Sequence, residues 1–173
     1  MNAEPPDCLT AATGPGRHRA TDTRRQMQAD VTLLAFQHAA DLARQFTRDV
    51  VRQFGMVGLV RDAELVVSEI VTNVIKAAGL TTATPSENIT VRHMFKLCLF
   101  TDDDSLIIAV WDALPGYPVR QTPGLDAEAG RGLLLVDALS DEWGSAPYNN
   151  HSKVVWAVLS DVGTDPAPTC QDC

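Results

Sequence analysis

One stretch constrains the chain more than any other: residues 58–79, Gly-Leu-Val-Arg-Asp-Ala-Glu-Leu-Val-Val-Ser-Glu-Ile-Val-Thr-Asn-Val-Ile-Lys-Ala-Ala-Gly. Leu59, Ala63, Val66, Val67, Ile70, Val71, Val74 and Ala78 recur at helical spacing and fill one side of a long helix. Asp62, Leu65, Glu69, Thr72, Asn73 and Lys76 occupy the opposite sector, and Gly79 is a natural stop. Glu69 and Asn73 lie roughly 40° apart around the axis, four positions apart on one face. A carboxylate and an amide at the margin of an apolar stripe are costly unless something pairs with them.

The chain has 173 residues, enough for one domain with a proper core. Its formal net charge of −8 argues against direct nucleic-acid binding, which needs clustered Lys and Arg to neutralise phosphates. No apolar run approaches the roughly 20 residues that span a bilayer. The Pro-, Gly- and Thr-rich N-terminus lacks a signal-peptide core. The expectation is a cytoplasmic protein without membrane contact. Cys98 sits in an apolar run and reads as a buried thiol. Cys170 and Cys173 form a C-x-x-C; a zinc site there needs two further ligands, for which only Cys8 or a histidine could be recruited, so a solvated tail is the simpler reading.

Taken in order, residues 1–28 read as a disordered tail whose basic cluster (Arg17, His18, Arg19, Arg24, Arg25) is solvated. Residues 29–160 form the folded domain and residues 161–173 a second tail. Within the domain, residues 29–36 suit a strand. Residues 37–55 suit a helix with Arg44, Arg48 and Arg52 on its wet face. A loop at residues 80–88 follows the long helix. Alternation from Ile89 through Val91, His93, Phe95, Leu97 and Leu99 predicts a strand over residues 89–101. Asp102-Asp103-Asp104 is then a hairpin turn, and residues 105–112 are a more buried strand ending in an acid. A Pro/Gly loop over residues 113–129 is long enough to be a lid. Residues 133–143 read as a third helix, Gly144–Asn150 as a turn region with room for a short strand, and residues 152–160 as a final strand. Hairpins beside consecutive helices predict an α+β two-layer sandwich, with helices on one face of a mixed, mostly antiparallel sheet.

Three pieces carry chemistry: Glu69-x-x-x-Asn73 on a helix, Asp112 at a strand end before Gly116, and Gly130-Arg131-Gly132-Leu133 opening a helix. A glycine-flanked helix start offers free N–H groups and a positive dipole end to phosphate. An Asn oxygen suits magnesium. A nearby Glu suits a general base. An Asp at a strand terminus can accept from a purine's exocyclic amine. Each piece alone has a bland reading: a solvated Glu, a turn-starting Asp, loop glycines. Order and spacing together argue otherwise.

Ala-Glu-Leu-Val-Val-Ser-Glu-Ile-Val-Thr-Asn-Val-Ile-Lys-Ala resembles the N box of the GHKL ATPase superfamily, which includes gyrase, heat-shock chaperone, mismatch-repair and histidine-kinase ATPase domains. Val-Trp-Asp-Ala-Leu-Pro-Gly resembles its first glycine box, and Gly-Arg-Gly-Leu-Leu-Leu-Val-Asp-Ala-Leu-Ser-Asp-Glu-Trp-Gly its second. The small bacterial branch of anti-sigma-factor serine kinases and stand-alone ATP-binding proteins is the most similar. The resemblance implies a Bergerat-type α/β sandwich that binds ATP and Mg2+. By it, Asn73 coordinates magnesium, Glu69 is the general base, Asp112 reads the adenine amine and Gly116 allows close approach to the base. Gly130, Arg131, Gly132 and Leu133 cradle the phosphates, with Lys76 near them. The partner it implies is a regulatory protein, a sigma factor or its antagonist, and it leaves room for a homodimer. The chain departs from the pattern in three places. Leu114-Pro115-Gly116 replaces Gly-x-Gly, Ala77 replaces a common His, and Val154, with Ser152 nearby, stands where a Thr helps hold the adenine. Glu69 leaves phosphotransfer open, and a non-catalytic binding module is the other reading.

Overall fold

The computed structural model describes residues 27–116, 131–149 and 152–160. The element order is β1 (Gln28–Leu34), α1 (Ala39–Gln53), α2 (Val60–Ala78), β2 (Met94–Asp102), β3 (Ser105–Asp112), α3 (Arg131–Leu139), β4 (Glu142–Asn149) and β5 (Ser152–Ser160). The strands form one sheet in the order β1-β2-β3-β5-β4. Every neighbouring pair is antiparallel, which sharpens the mixed, mostly antiparallel expectation. The fold is the expected α+β two-layer sandwich. Both expected tails, apart from Met27 and Gln28, lie outside the described residues. So do Cys170, Cys173, Gly130 and the loop beyond Gly116.

The long helix forms as its apolar spacing requires. A 3-10 turn at Val57–Leu59 leads into α2, and Gly79 closes it at φ 62 with its N–H bonded to the Ile75 carbonyl. That left-handed cap is a conformation glycine adopts without steric cost. Ala63, Val66, Val67, Ile70, Val71 and Val74 are its buried residues. They pack with Ala39, Ala43, Val50 and Val51 of α1 and with one face of the sheet: Phe95, Leu97, Leu99, Leu106, Ile108, Val110, Val155, Ala157 and Leu159. Strand alternation sends Cys98, Phe100, Ile107, Ala109, Trp111 and Val154 to the opposite face, where they form a second, smaller cluster. Two of the arginines read as a wet face instead tie α1 to α2: Arg44 donates to Ser68 Oγ at 3.0 Å, and Arg48 pairs with Glu64 at 2.5 Å. Cys98 is fully buried, as its apolar run requires, but it is disulfide-bonded rather than a free thiol.

Three boundaries differ from the sequence expectation. The strand expected from residue 89 begins at Met94; Val91–His93 is a 3-10 turn and Val91 is exposed. Thr90 and His93 form a reciprocal capping box there, and such side-chain-to-backbone bonds compete with the sheet ladder. The third helix stops at Leu139 rather than reaching Trp143. Ser140 bonds back to the Val136 carbonyl through both its N–H and its hydroxyl, while the Asp141 N–H is captured by Val158 O. Residues expected to be mainly a turn then form β4, in which Trp143 faces Ala157 and Gly144 faces Trp156. A Cβ at Gly144 would lie 2.9 Å from the Trp156 ring, so this strand docks closely because it lacks one. The turn at Asp103 is as expected, with φ 51.

Candidate functional site

At one end of the sheet, on its helix-covered face, two apolar strand faces terminate in charged residues. On β3, Leu106, Ile108 and Val110 lead to Asp112; on β5, Leu159, Ala157 and Val155 lead to Lys153. The antiparallel register makes Asp112 and Lys153 direct cross-strand partners. Their side chains are only 1% and 9% exposed. Lys153 Nζ donates to Asp112 Oδ1 at 2.5 Å and to the Leu114 carbonyl at 2.7 Å. The Leu114 N–H also donates to Oδ1, at 2.9 Å, folding the chain back after β3. Oδ2 of Asp112 is buried with no hydrogen-bond partner. A carboxylate oxygen in that state is expensive unless a donor arrives from a ligand.

The other grouping lies between α2 and α3. Glu69 is half-buried on α2, and its carboxylate presses against Gly132 in the first turn of α3. A Cβ at Gly132 would collide with Glu69 Oε2 and lie 3.1 Å from Cδ, so glycine is what allows the two elements to approach this closely. A negative group at the start of a helix is also favoured by the backbone dipole. The same helix start attracts phosphate for the same reason. Asn73 is half-buried one turn beyond Glu69, and Lys76 is exposed in the last turn of α2. Arg131 is the first residue of α3 and Leu133 is half-buried. Gly116 has φ 85, and a Cβ there would meet nothing within 4 Å. Its glycine is therefore demanded by backbone conformation rather than by crowding in this structure. Gly130 lies outside the described residues.

Lys153 was not among the residues the sequence singled out. Val154, the position matched to the family's threonine, points to the opposite face of the sheet and packs in the second cluster, and by alternation Ser152 shares that face. The residue beside Asp112 is Lys153. The signal was present: Lys153 shares the strand phase of Val155, Ala157 and Leu159, as Asp112 shares that of Val110 and Ile108, so both interrupt an apolar face.

Two features thus mark one α+β sandwich: a sheet end with an unsatisfied buried carboxylate oxygen, and a helix start pressed against Glu69. The family model described as a histidine kinase-like ATPase domain matches residues 34–159, and the chain belongs to that family, of the GHKL type. No individual curated protein gave a significant match. Membership supports ATP binding. The residues present fit a purine at the sheet end, where Asp112 Oδ2 lacks the donor that an adenine amine supplies; at the start of α3 the Glu69 carboxylate fills the space beside Gly132, so a phosphate there requires that side chain to turn aside. Among the described residues there is no cluster of three or more His, Cys, Asp or Glu to hold a metal ion by itself. A magnesium ion here would take one amide oxygen from Asn73 and its other ligands from phosphates and water. Among the described residues no helix is long and apolar enough to cross a membrane.

Proposed function

We propose that this chain is a Mg-ATP-binding regulatory protein of the anti-sigma-factor serine/threonine kinase type, acting on a protein antagonist. The observation that carries the reading is the buried, partnerless Oδ2 of Asp112 at the sheet end, an acceptor waiting for the exocyclic amine of adenine. In this reading the phosphates extend toward Gly132 and the N-terminus of α3, and Asn73 contributes to the magnesium that neutralises them. Glu69 takes the proton of a Ser or Thr hydroxyl. The hydroxyl oxygen bonds to the γ-phosphorus, the bond from phosphorus to the β–γ bridging oxygen breaks, and ADP leaves. Positioning and electrostatics supply the rest, as is general for phosphoryl transfer. The recipient is a regulatory protein, either a sigma factor's antagonist or a protein in the same role.

Calorimetry and a phosphotransfer assay test the proposal together. Asn73→Ala abolishes Mg-ATP binding, while Glu69→Ala binds Mg-ATP normally and loses transfer. Normal Mg-ATP binding by Asn73→Ala refutes the site. A Glu69→Ala protein as active as wild type refutes the general base. Wild-type protein that binds ATP without transfer to any candidate antagonist leaves the non-catalytic binding module.

A further inference from the structure

We propose that Lys153 is a base-reading residue, and that with Asp112 it makes the site select adenine over guanine. The inference rests on the adenine reading of Asp112 given above. A free carboxylate can accept two parallel N–H bonds, which suits the N1–H and N2–H edge of guanine. Asp112 is not free in that sense. Its Oδ1 already accepts from Lys153 Nζ and from the Leu114 N–H, which leaves Oδ2 as its single open acceptor. Lys153 Nζ carries three N–H bonds and spends two, on Asp112 and on the Leu114 carbonyl. The pair therefore holds one unused acceptor and one unused cationic N–H, both buried before a ligand arrives.

Adenine complements that pair. Its N6 amine donates to Oδ2 and its N1 accepts from Nζ. Guanine in the same pose sets its O6 acceptor against Oδ2 and its N1–H donor against the ammonium, like against like at both positions. Both protein groups are held before any ligand arrives, by a cross-strand register and a chain reversal at Leu114. Little ordering remains to be done on binding. No hydroxyl takes this role from the matched position, because Val154 has none and faces the other side of the sheet.

The experiment compares ATP, GTP and 1-deaza-ATP, in which N1 is replaced by CH, on wild type and Lys153→Met, by calorimetry and with a melting curve for each protein. Wild type binds 1-deaza-ATP about tenfold or more weaker than ATP, the range for a hydrogen bond to a charged group. In Lys153→Met that difference falls below about twofold and the ATP-over-GTP preference shrinks by about tenfold. A purely structural lysine would weaken all three ligands alike and leave the ratios intact. Equal wild-type affinity for ATP and 1-deaza-ATP overturns the proposal, and so does a wild-type-sized 1-deaza penalty in Lys153→Met. Wild type that binds no ATP removes the adenine reading itself, and this proposal with it. Because Lys153→Met unpairs a buried carboxylate and can fail to fold, a second measurement uses the wild-type protein alone. The chain has three lysines, Lys76, Lys96 and Lys153, so 15N-lysine labelling gives few side-chain ammonium signals. The Lys153 signal shifts with ATP and much less with 1-deaza-ATP; a signal that responds equally to both overturns the assignment.

Discussion

Asp112→Asn is the substitution with the most to say about the site, because it changes one atom and two balances. The Asn carbonyl can keep the bonds that Asp112 Oδ1 accepts from Lys153 and the Leu114 N–H. Its NH2 then stands where Oδ2, the partnerless acceptor, stood. An acceptor aimed at the adenine amine becomes a donor aimed at a donor. Losing a hydrogen bond to a charged group costs about 1.5–3 kcal/mol, so ATP binding weakens by roughly 10- to 150-fold. The same change suits a 6-oxo purine, and inosine triphosphate loses far less affinity than ATP, so their ratio shifts by about tenfold or more toward inosine. The ligand-free protein is affected as well. Removing one partner of a buried ion pair costs about 3–5 kcal/mol, and the retained Asn carbonyl places this case near the lower end. At roughly 4 °C per kcal/mol for a domain of this size, the melting temperature falls by about 10 °C. Calorimetry well below the transition separates the two effects. ATP affinity within twofold of wild type, in a folded Asp112→Asn protein, would refute the adenine contact. Equal losses for ATP and inosine triphosphate would show that the carboxylate supports the pocket without reading the base.

Gly132→Ala stays folded, because the atom it strikes is the mobile end of Glu69 and alanine is better than glycine in a helix by about 1 kcal/mol. Its melting point stays within a few degrees of wild type while the proposed phosphotransfer falls by an order of magnitude or more, and unchanged transfer would show that the Glu69 position is immaterial. Ile70→Ala opens the core where α2 meets α1 and the sheet and lowers stability by about 2–5 kcal/mol in chemical denaturation; a change under 1 kcal/mol would contradict the packing. Thr90→Ala breaks the capping box before β2 and costs about 0.5–2 kcal/mol, read by the same method, with ATP affinity unchanged.

How much of this was legible in the sequence depended on how local each determinant is. Helix α2 could be read because Val66, Ile70, Val74 and Gly79 speak through spacing and one backbone angle. Strands β3 and β5 could be read to the residue because continuous apolar runs are bounded by Asp and Ser. Strand β4 could not, since Glu-Trp-Gly-Ser-Ala-Pro-Tyr-Asn has little intrinsic strand preference and owes its conformation to pairing with β5. The Ile89–His93 alternation misled because a local cap outweighed the period. Glu69, Asn73, Asp112 and Gly132 were legible as residues with awkward polarity or at a helix start. That Glu69 meets Gly132 follows from how α2 and α3 pack, which no spacing encodes. Lys153 was missed because its meaning depends on register with Asp112, forty-one positions away.

The place of β5 has a consequence in time. It is the last of the described strands in the chain, yet it lies inside the sheet, between β3 and β4. As the chain emerges during synthesis, helices α1 and α2 and the β2–β3 hairpin can assemble from neighbouring contacts. The lysine that holds Asp112 arrives only when β5 takes its slot between β3 and β4. Until then β3 and β4 each expose an unpaired edge. Long-range pairing of this kind is slow to form. Ligand competence is thus a late event in the life of the chain, and a nascent polypeptide ending before residue 152 can carry most of the sequence signature of the site without a pocket to show for it.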